Sequence, residues 1–342
     1  MSETSYKDRT DSVEKKLRLL QDAYSQGNHD LTMSLVESIK DTVGFERQRK
    51  KIGEDSVSTA ETFAAVTELP AAWAQWARGW QFCKVLELSE TAGIERRQEP
   101  VDICVGFLAE HTADLQREVR VARIDAAAGT LREVVSQVYG EVFEAGERRC
   151  RVVFFADVPA QGQVCYLVFY GNPFAELPRY KTDLQVSGEG YGLDIENRYY
   201  AARLSRQMGQ LERMCYKRTH GLELFIEGDG HGEPPNIDWA HDYLSSNQFQ
   251  KFRVTNWDSC PNFEVVRGPL CTQVRRWGFP HAPAHPLFTP SRMHIDVEYT
   301  FYAGLPYFVK DGQMEMIQDF ELNYLRDDEW VFSGYSFTEM LW

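Results

Sequence analysis

The chain has 342 residues, is 43% hydrophobic and 13% aromatic, and carries 37 basic against 51 acidic side chains. This length predicts two or three domains, and the apolar content is too high for a disordered chain. The net charge of −14 argues against nucleic acid and against an anionic membrane surface as partners, because both would repel the protein.

Residues 1–54 are predicted to form a helical hairpin. Val13, Leu17, Leu20 and Tyr24 recur at intervals of three and four, and a second run of the same kind begins at Leu31. Gly27-Asn28 lies between the two runs, as expected for a helix stop followed by a helix N-cap. The Ser/Thr-rich residues 55–72 are predicted to be a linker.

Residues 73–178 are predicted to form a β-sandwich domain. Short β-branched or aromatic runs such as 101–105, 151–155 and 165–170 are separated by turn residues at the spacing typical of sandwiches. No strong helical pattern lies between these runs, so a parallel βαβ sheet is disfavoured. The end of the last run, Tyr170-Gly171-Asn172-Pro173, resembles the strand end of β-sandwich modules that accompany glycan-degrading enzymes.

Residues 183–342 open with a pattern that resembles a known fold family. Ile195-Glu196-Asn197 is followed by a strand pattern, a turn at Gly209, a second strand pattern and then Gly221-Leu222-Glu223-Leu224. This order is similar to the entry of galactose-mutarotase-like β-supersandwiches, which occur in mutarotases, several glycosidases and several polysaccharide lyases. The resemblance implies a partial β-supersandwich for this region. The whole chain is therefore predicted to be mainly β, with an N-terminal helical hairpin, a β-sandwich and this supersandwich portion. The resemblance implies fold more than activity, because the architecture hosts hydrolysis, elimination, epimerisation and plain binding.

The aromatic C-terminal segment 330–342 is expected to lie inside a sheet, because such an apolar end would otherwise fray in water. We therefore expect either a truncated chain or a subunit that a partner completes. The segment and the helical hairpin are the surfaces through which a homo-oligomer or a partner subunit is predicted to assemble.

A cytoplasmic location is predicted from three features of the sequence. The N-terminus is polar, and no apolar run approaches the ~20 residues that cross a bilayer. The seven cysteines are odd in number, widely scattered and free of CxxC pairs, which is typical of reduced core thiols.

Histidines cluster in the last third of the chain, and this is the strongest chemical signal of the sequence. Six of the eight lie between residues 220 and 294, many of them in Gly/Pro-rich stretches that predict loops. Imidazole transfers protons near neutral pH, and neighbouring carboxylates and phenols can assist it. The predicted catalytic residues are His231, Glu233, His241, Asp242, Tyr243, His281, His285 and His294.

A second group of residues is predicted to hold a sugar. Arginine matches a sugar carboxylate bidentately, and indole rings can stack on a sugar ring. His294 and Asp296 have strand spacing, so both are expected on one face of a sheet. The predicted substrate-binding residues are Trp239, Arg267, Arg276, Trp277 and Arg292.

Three interpretations of these residues remain open. In the first, arginines neutralise a uronate carboxylate while a His or Tyr removes the neighbouring proton. In the second, a divalent metal ion is the cofactor, with His231, Glu233 and His241 as candidate ligands, although their spacing matches no fixed metal motif. In the third, the side chains only tie down long loops.

The sequence therefore predicts a carbohydrate-active protein that cleaves or modifies a glycan, with uronate-containing glycans among the candidates. Enzymes of polysaccharide-lyase or glycosidase type rank ahead of a sugar epimerase. The alternative is a non-catalytic carbohydrate-binding or assembly subunit completed by a partner chain.

Overall fold

The computed structural model describes residues 3–42, 56–125, 128–217, 221–224, 242–245, 251–257, 261–281, 293–316 and 322–326. The chain is mainly β and divides into two compact units. We call Gln48–Thr182 with Gly268–Cys271 the sandwich unit. Met1–Arg47, Asp183–Arg267 and Thr272–Trp342 form the composite unit.

Two paired helices begin the chain, α1 (Glu3–Ser25) and α2 (His29–Thr42), which confirms the predicted hairpin. Gly27 has a φ of +69°, and the N–H of Asn28 donates to Ala23 O at 3.0 Å, as in a helix end of the Schellman type. The Asn28 side chain then accepts the N–H of Leu31 at 3.1 Å and caps α2.

The sandwich unit contains two sheets, with strand orders β1-β4-β8-β7 and β2-β3-β9-β5-β6. The β1–β4 pair is parallel, and the other pairings are antiparallel. The strands are β1 (Ser56–Ser58), β2 (Ala64–Ala65), β3 (Phe82–Ser89), β4 (Arg96–Leu108), β5 (Arg120–Asp125), β6 (Thr130–Val134), β7 (Ser136–Glu144), β8 (Glu147–Val158) and β9 (Gln163–Tyr170). Short helices are α3 (Ala71–Trp76) and α4 (Leu115–Glu118), with 3-10 turns at Val66–Glu68 and Ala109–His111.

Apolar side chains of both sheets meet in one core, which makes this unit a β-sandwich as predicted. Phe107 and Phe154 of the first sheet and Tyr166 of the second are buried there. The other face of the five-stranded sheet is covered by α3 and by Trp80, which follows it. The ring of Trp80 stacks on that of Trp76, the last residue of α3, with 5.9 Å between the ring centres.

Residues 55–72, which the sequence predicts to be a linker, contain two strands of the sandwich. Ser56 and Ser58 pair with β4, and Ala64 and Ala65 pair with β3. The buried ammonium of Lys84 holds the segment between these strands by donating to Thr59 O at 2.8 Å and to Thr62 O at 2.6 Å. Backbone pairing therefore orders a segment whose polar side chains predict a linker.

The composite unit contains three sheets, with strand orders β10-β11-β12-β13-β14, β17-β18-β20-β21 and β19-β16-β15-β22. Its strands are β10 (Gln185–Glu189), β11 (Gly192–Glu196), β12 (Tyr200–Leu204), β13 (Leu211–Tyr216), β14 (Leu222–Glu223), β15 (Asp242–Ser245), β16 (Lys251–Trp257), β17 (Asn262–Arg267), β18 (Cys271–Gly278), β19 (Pro280–His281), β20 (Met293–Tyr302), β21 (Phe308–Met316) and β22 (Leu322–Arg326). The first residue of β18, Cys271, belongs to the sandwich unit.

The first two of these sheets pack face to face. Leu193, Ile195 and Leu211 of the five-stranded meander meet Val297 and Phe301 of the four-stranded sheet in one buried core. Five-stranded and four-stranded layers therefore share their apolar faces, and each sheet is left with one outer face.

Asn197 ties the two layers together at one end of this core. Its side-chain N–H groups donate to Tyr302 O and Leu305 O, both at 2.9 Å. Its Oδ1 accepts the N–H groups of Tyr199 at 2.8 Å and Tyr200 at 3.0 Å. All four hydrogen bonds of a buried amide are thus made, which explains why an Asn directly follows β11 here.

Two further findings concern the cysteines and the helices. The cysteines within the described residues, from Cys83 to Cys271, are all free thiols, as the sequence predicts. In the part of the chain that the structure describes, no helix is long and apolar enough to span a membrane.

Replacing Asn197 with Ala should lower the free energy of unfolding by at least about 2 kcal/mol, because three buried backbone groups and one part-buried N–H lose their partner. Chemical denaturation measures this change. Gln185→Ala, at an exposed position of the same unit, is the control and should stay within about 0.5 kcal/mol. Equal losses in both variants would contradict the structural role of Asn197.

Lys84 should make stability depend on alkaline pH. Burial lowers the pKa of Lys84 from 10.5 to about 8, and the nearby Glu147 only partly opposes this shift. Between these two values the unfolded chain binds the additional proton, so the contribution of Lys84 to the free energy of unfolding rises with pH from about 8 to 10.5. Burial also raises the pKa values of the Cys83 and Cys150 thiols, which makes stability fall with pH above about 9, so the effect of Lys84 is read as a difference between variants. The free energy of unfolding of wild type minus that of Lys84→Met should rise across this range, whereas wild type minus Lys181→Met, at an exposed lysine, should stay flat. Identical pH profiles for wild type and Lys84→Met would contradict the account.

Candidate functional site

The outer face of the sheet β17-β18-β20-β21 is the candidate site. On β20, Ile295, Val297 and Tyr299 point into the core, so the alternate residues point to the outer face. The same alternation on β18 sends Val274 into the core. Strand pairing then places the following residues together on the outer face: Asn262, Glu264, Gln273, Arg275, Trp277, His294, Asp296, Glu298, Thr300, Asp311, Gln313 and Glu315.

Three of these side chains form a rigid stack. The Nε of Arg275 donates to both carboxylate oxygens of Asp296, at 2.9 and 3.0 Å, and a second nitrogen of Arg275 also bonds this carboxylate. The guanidinium lies 4.5 Å from the centre of the Trp277 ring. Asp296 therefore fixes Arg275, and Arg275 supports one side of the half-buried indole.

His294 lies beside this stack, two residues before Asp296 on the same face of β20. It is only 4% exposed, and its ring makes an edge contact with Phe279 at 5.3 Å. Its partner across the strand pair is Glu315, which is exposed. The face is thus open along β21, whereas Asn262, Gln273 and Thr300 on the other three strands are buried like His294.

The face is strongly acidic in the part that the structure describes. Its carboxylates outnumber its single guanidinium, that of Arg275, by five to one, and Arg275 is already paired with Asp296. Glu298 and Asp311 stand directly opposite each other in the strand register. The five carboxylates are those of Glu264, Asp296, Glu298, Asp311 and Glu315.

Arg276, a predicted substrate-binding residue, points the other way. Its side chain is fully buried, its Nη1 donates to Met208 O at 2.7 Å, and the guanidinium lies 5.2 Å from the centre of the Tyr299 ring. Gly209 makes room for it, because a Cβ at that residue would lie 2.3 Å from the Cδ of Arg276. Arg276 therefore anchors the turn between β12 and β13 from inside the core.

Arg267 also lies away from the outer face. It ends β17 at an exposed position, on the core-facing register of that strand, and its guanidinium donates to Gly188 O at 2.9 Å. Of the five predicted substrate-binding residues, the structure thus brings Trp277 to the outer face, where His294 joins it.

Three further predicted residues lie in the sheet β19-β16-β15-β22. Asp242 and Tyr243 begin β15, and His281 ends β19, with β16 between these two strands. The remaining predicted residues fall outside the described residues. They are His231, Glu233, Trp239, His241, His285 and Arg292.

The metal hypothesis gains no candidate from the described residues, among which no three His, Cys, Asp or Glu side chains are grouped to hold an ion. All three proposed ligands lie outside the described residues: His231, Glu233 and His241. The hypothesis therefore stays a prediction.

Sequence reasoning missed Arg275 as a site residue and left Asp296 outside the predicted set. The signal for both was present, because Arg275 and Trp277 have the same i, i+2 spacing as His294 and Asp296. Two such pairs on neighbouring strands predict a shared polar face.

No protein-family model matches the chain, and comparison with curated proteins finds no similar sequence. The resemblance to galactose-mutarotase-like supersandwiches therefore rests on the sequence pattern from Ile195 to Leu224. The meander β10 to β14 contains this pattern, with Gly209 in a turn at a φ of +73°.

Proposed function

We propose that the protein is carbohydrate-active and that a glycan binds on the outer face of the sheet β17-β18-β20-β21. The observation that carries this proposal is the stack of Asp296, Arg275 and Trp277 beside His294. An indole held on one side by a fixed guanidinium is a rigid, half-buried platform for the apolar face of a sugar ring. The surrounding carboxylates and amides can accept and donate hydrogen bonds to sugar hydroxyls.

The charge of this face favours neutral glycans or amino sugars over uronates. Among the described residues, a polyuronate brought to the face would meet five carboxylates, while the guanidinium of Arg275 is committed to Asp296. Of the three arginines predicted to clamp a uronate, Arg276 is buried in the core, Arg267 lies at a strand end, and Arg292 lies outside the described residues. Proposed substrates are therefore glycans without acid groups.

Acid–base chemistry on this face would centre on His294 and its exposed cross-strand neighbour Glu315. Imidazole and carboxylate are suited to proton transfer in glycan cleavage or epimerisation. The galactose-mutarotase-like resemblance agrees with such chemistry and equally with plain binding, because the architecture hosts both.

Non-catalytic carbohydrate binding is the second candidate, and one observation favours it. His294 is 4% exposed, which gives a substrate little access to its ring. Binding needs only the Trp277 platform and its polar neighbours, so it does not depend on that access.

Trp277→Ala should weaken binding of neutral oligosaccharides by at least about tenfold, because the stacking platform is lost. Isothermal titration with matched neutral and uronate oligosaccharides measures this effect, and the uronate series should bind more weakly at low salt. Trp277→Phe retains a ring and should lose less affinity. Phe174→Ala removes an aromatic that is 92% exposed in the sandwich unit and is the control.

The outcomes separate the candidates. Mass spectrometry of the incubated neutral glycans would reveal cleavage or epimerisation if the protein is an enzyme, and unchanged glycans that still bind would favour the binding subunit. Glycan binding that is equal in wild type and Trp277→Ala, or binding confined to uronates, would contradict the proposed face.

A further inference from the structure

Arg276 brings a cationic side chain into the core of the composite unit. The side chain is fully buried, and its Nη1 donates to Met208 O at 2.7 Å. Its Nε and Nη2 are also buried, and neither has a hydrogen-bond partner in the part of the chain that the structure describes. A buried donor without a partner costs free energy, and the cost is larger when the group is charged.

The two unpartnered nitrogens form one edge of the planar guanidinium. This edge meets both oxygens of a carboxylate when the two groups pair bidentately. The preceding residue, Arg275, shows this pairing, because its Nε and Nη2 both bond to the carboxylate of Asp296. Arg276 presents the same edge on the core side of the sheet, where the described residues offer it no acceptor.

The groups around the Arg276 guanidinium compensate its charge only in part. The centre of the Tyr299 ring lies 5.2 Å away, and Met208 O, its hydrogen-bond acceptor, also accepts the N–H of the Trp257 ring at 3.1 Å. An aromatic ring and a shared carbonyl do not neutralise a buried cation. A water molecule would satisfy the two N–H groups, whereas an anion would satisfy them and balance the charge as well.

A second buried polar side chain lies at the same turn. Gln210 is 1% exposed, and neither its Nε2 nor its Oε1 has a partner among the described residues. It directly follows Gly209, on which Arg276 packs so closely that a Cβ at the glycine would lie 2.3 Å from the arginine Cδ. Two buried side chains with unused hydrogen-bonding groups are therefore held at the turn between β12 and β13.

We propose that Arg276 binds a small carboxylate ion through its Nε and Nη2 atoms. A monoanion neutralises one guanidinium, whereas a phosphate would leave additional negative charge inside the core. Because Arg276 is completely buried, the ligand must be small, and the covering turn must open locally to admit it. This site lies on the core side of the sheet β17-β18-β20-β21, and it is separate from the outer face proposed for glycans.

Thermal unfolding of the full chain in formate tests this proposal, with chloride as the reference anion at constant ionic strength. The unfolding midpoint of wild type should rise by at least about 2 °C for a hundredfold increase in formate above its dissociation constant, because formate binds the folded state. Arg276→Met removes the guanidinium and should lose this rise. Arg267→Met removes the same charge at an exposed position and should retain it.

A direct binding measurement covers the case in which Arg276→Met does not fold. Arg276→Lys keeps the charge but lacks the edge with two nitrogens, so it should raise the dissociation constant of formate by at least about tenfold. Line broadening of labelled formate in carbon-13 NMR measures this constant, and unlabelled acetate should compete. Equal midpoints of wild type in formate and chloride at every concentration would overturn the proposal. Formate binding that Arg276→Lys retains at full strength would also overturn it.

Discussion

The candidate site depends on the strict alternation of side chains along β18 and β20. Val274, Ile295 and Val297 must enter the core shared with the meander β10 to β14, because that core is where the apolar surface of both sheets is buried. Their neighbours are thereby sent to the opposite face, where Arg275 meets Asp296. A slip of one residue in either strand would exchange the two faces, so the packing of the core and the composition of the site are set together.

The ion pair between Arg275 and Asp296 gives this face its order. Both side chains are mostly shielded from solvent, and the guanidinium is bonded through two nitrogens, which restricts its rotation and that of the Trp277 ring it supports. The same pair commits the guanidinium of Arg275 to a carboxylate of its own sheet.

The sequence predicts much of the fold and a smaller part of the site. The helix stop at Gly27-Asn28 and the aromatic strands of the sandwich are set by local chemistry, which a sequence displays directly. Local sequence does not show which of the adjacent residues Arg275 and Arg276 faces the core. The first half of β18 is buried on both faces, so its burial does not alternate along the strand. Arg276 enters the core because Gly209 leaves space for it. These two residues lie 67 positions apart in the chain, so their contact is not a local feature of the sequence. The strands within 56–65 were hidden for a related reason, since they are fixed by backbone pairing and by Lys84.

Hydroxyl-radical footprinting in the presence of a neutral oligosaccharide tests the central claim most directly. The method compares side-chain oxidation with and without the glycan, and Phe174, which is 92% exposed in the sandwich unit, serves as the internal reference. Oxidation of Trp277 should fall when the glycan is bound, while that of Phe174 stays constant. Unchanged oxidation of Trp277 under conditions in which the glycan binds would contradict the claim and place the binding surface elsewhere.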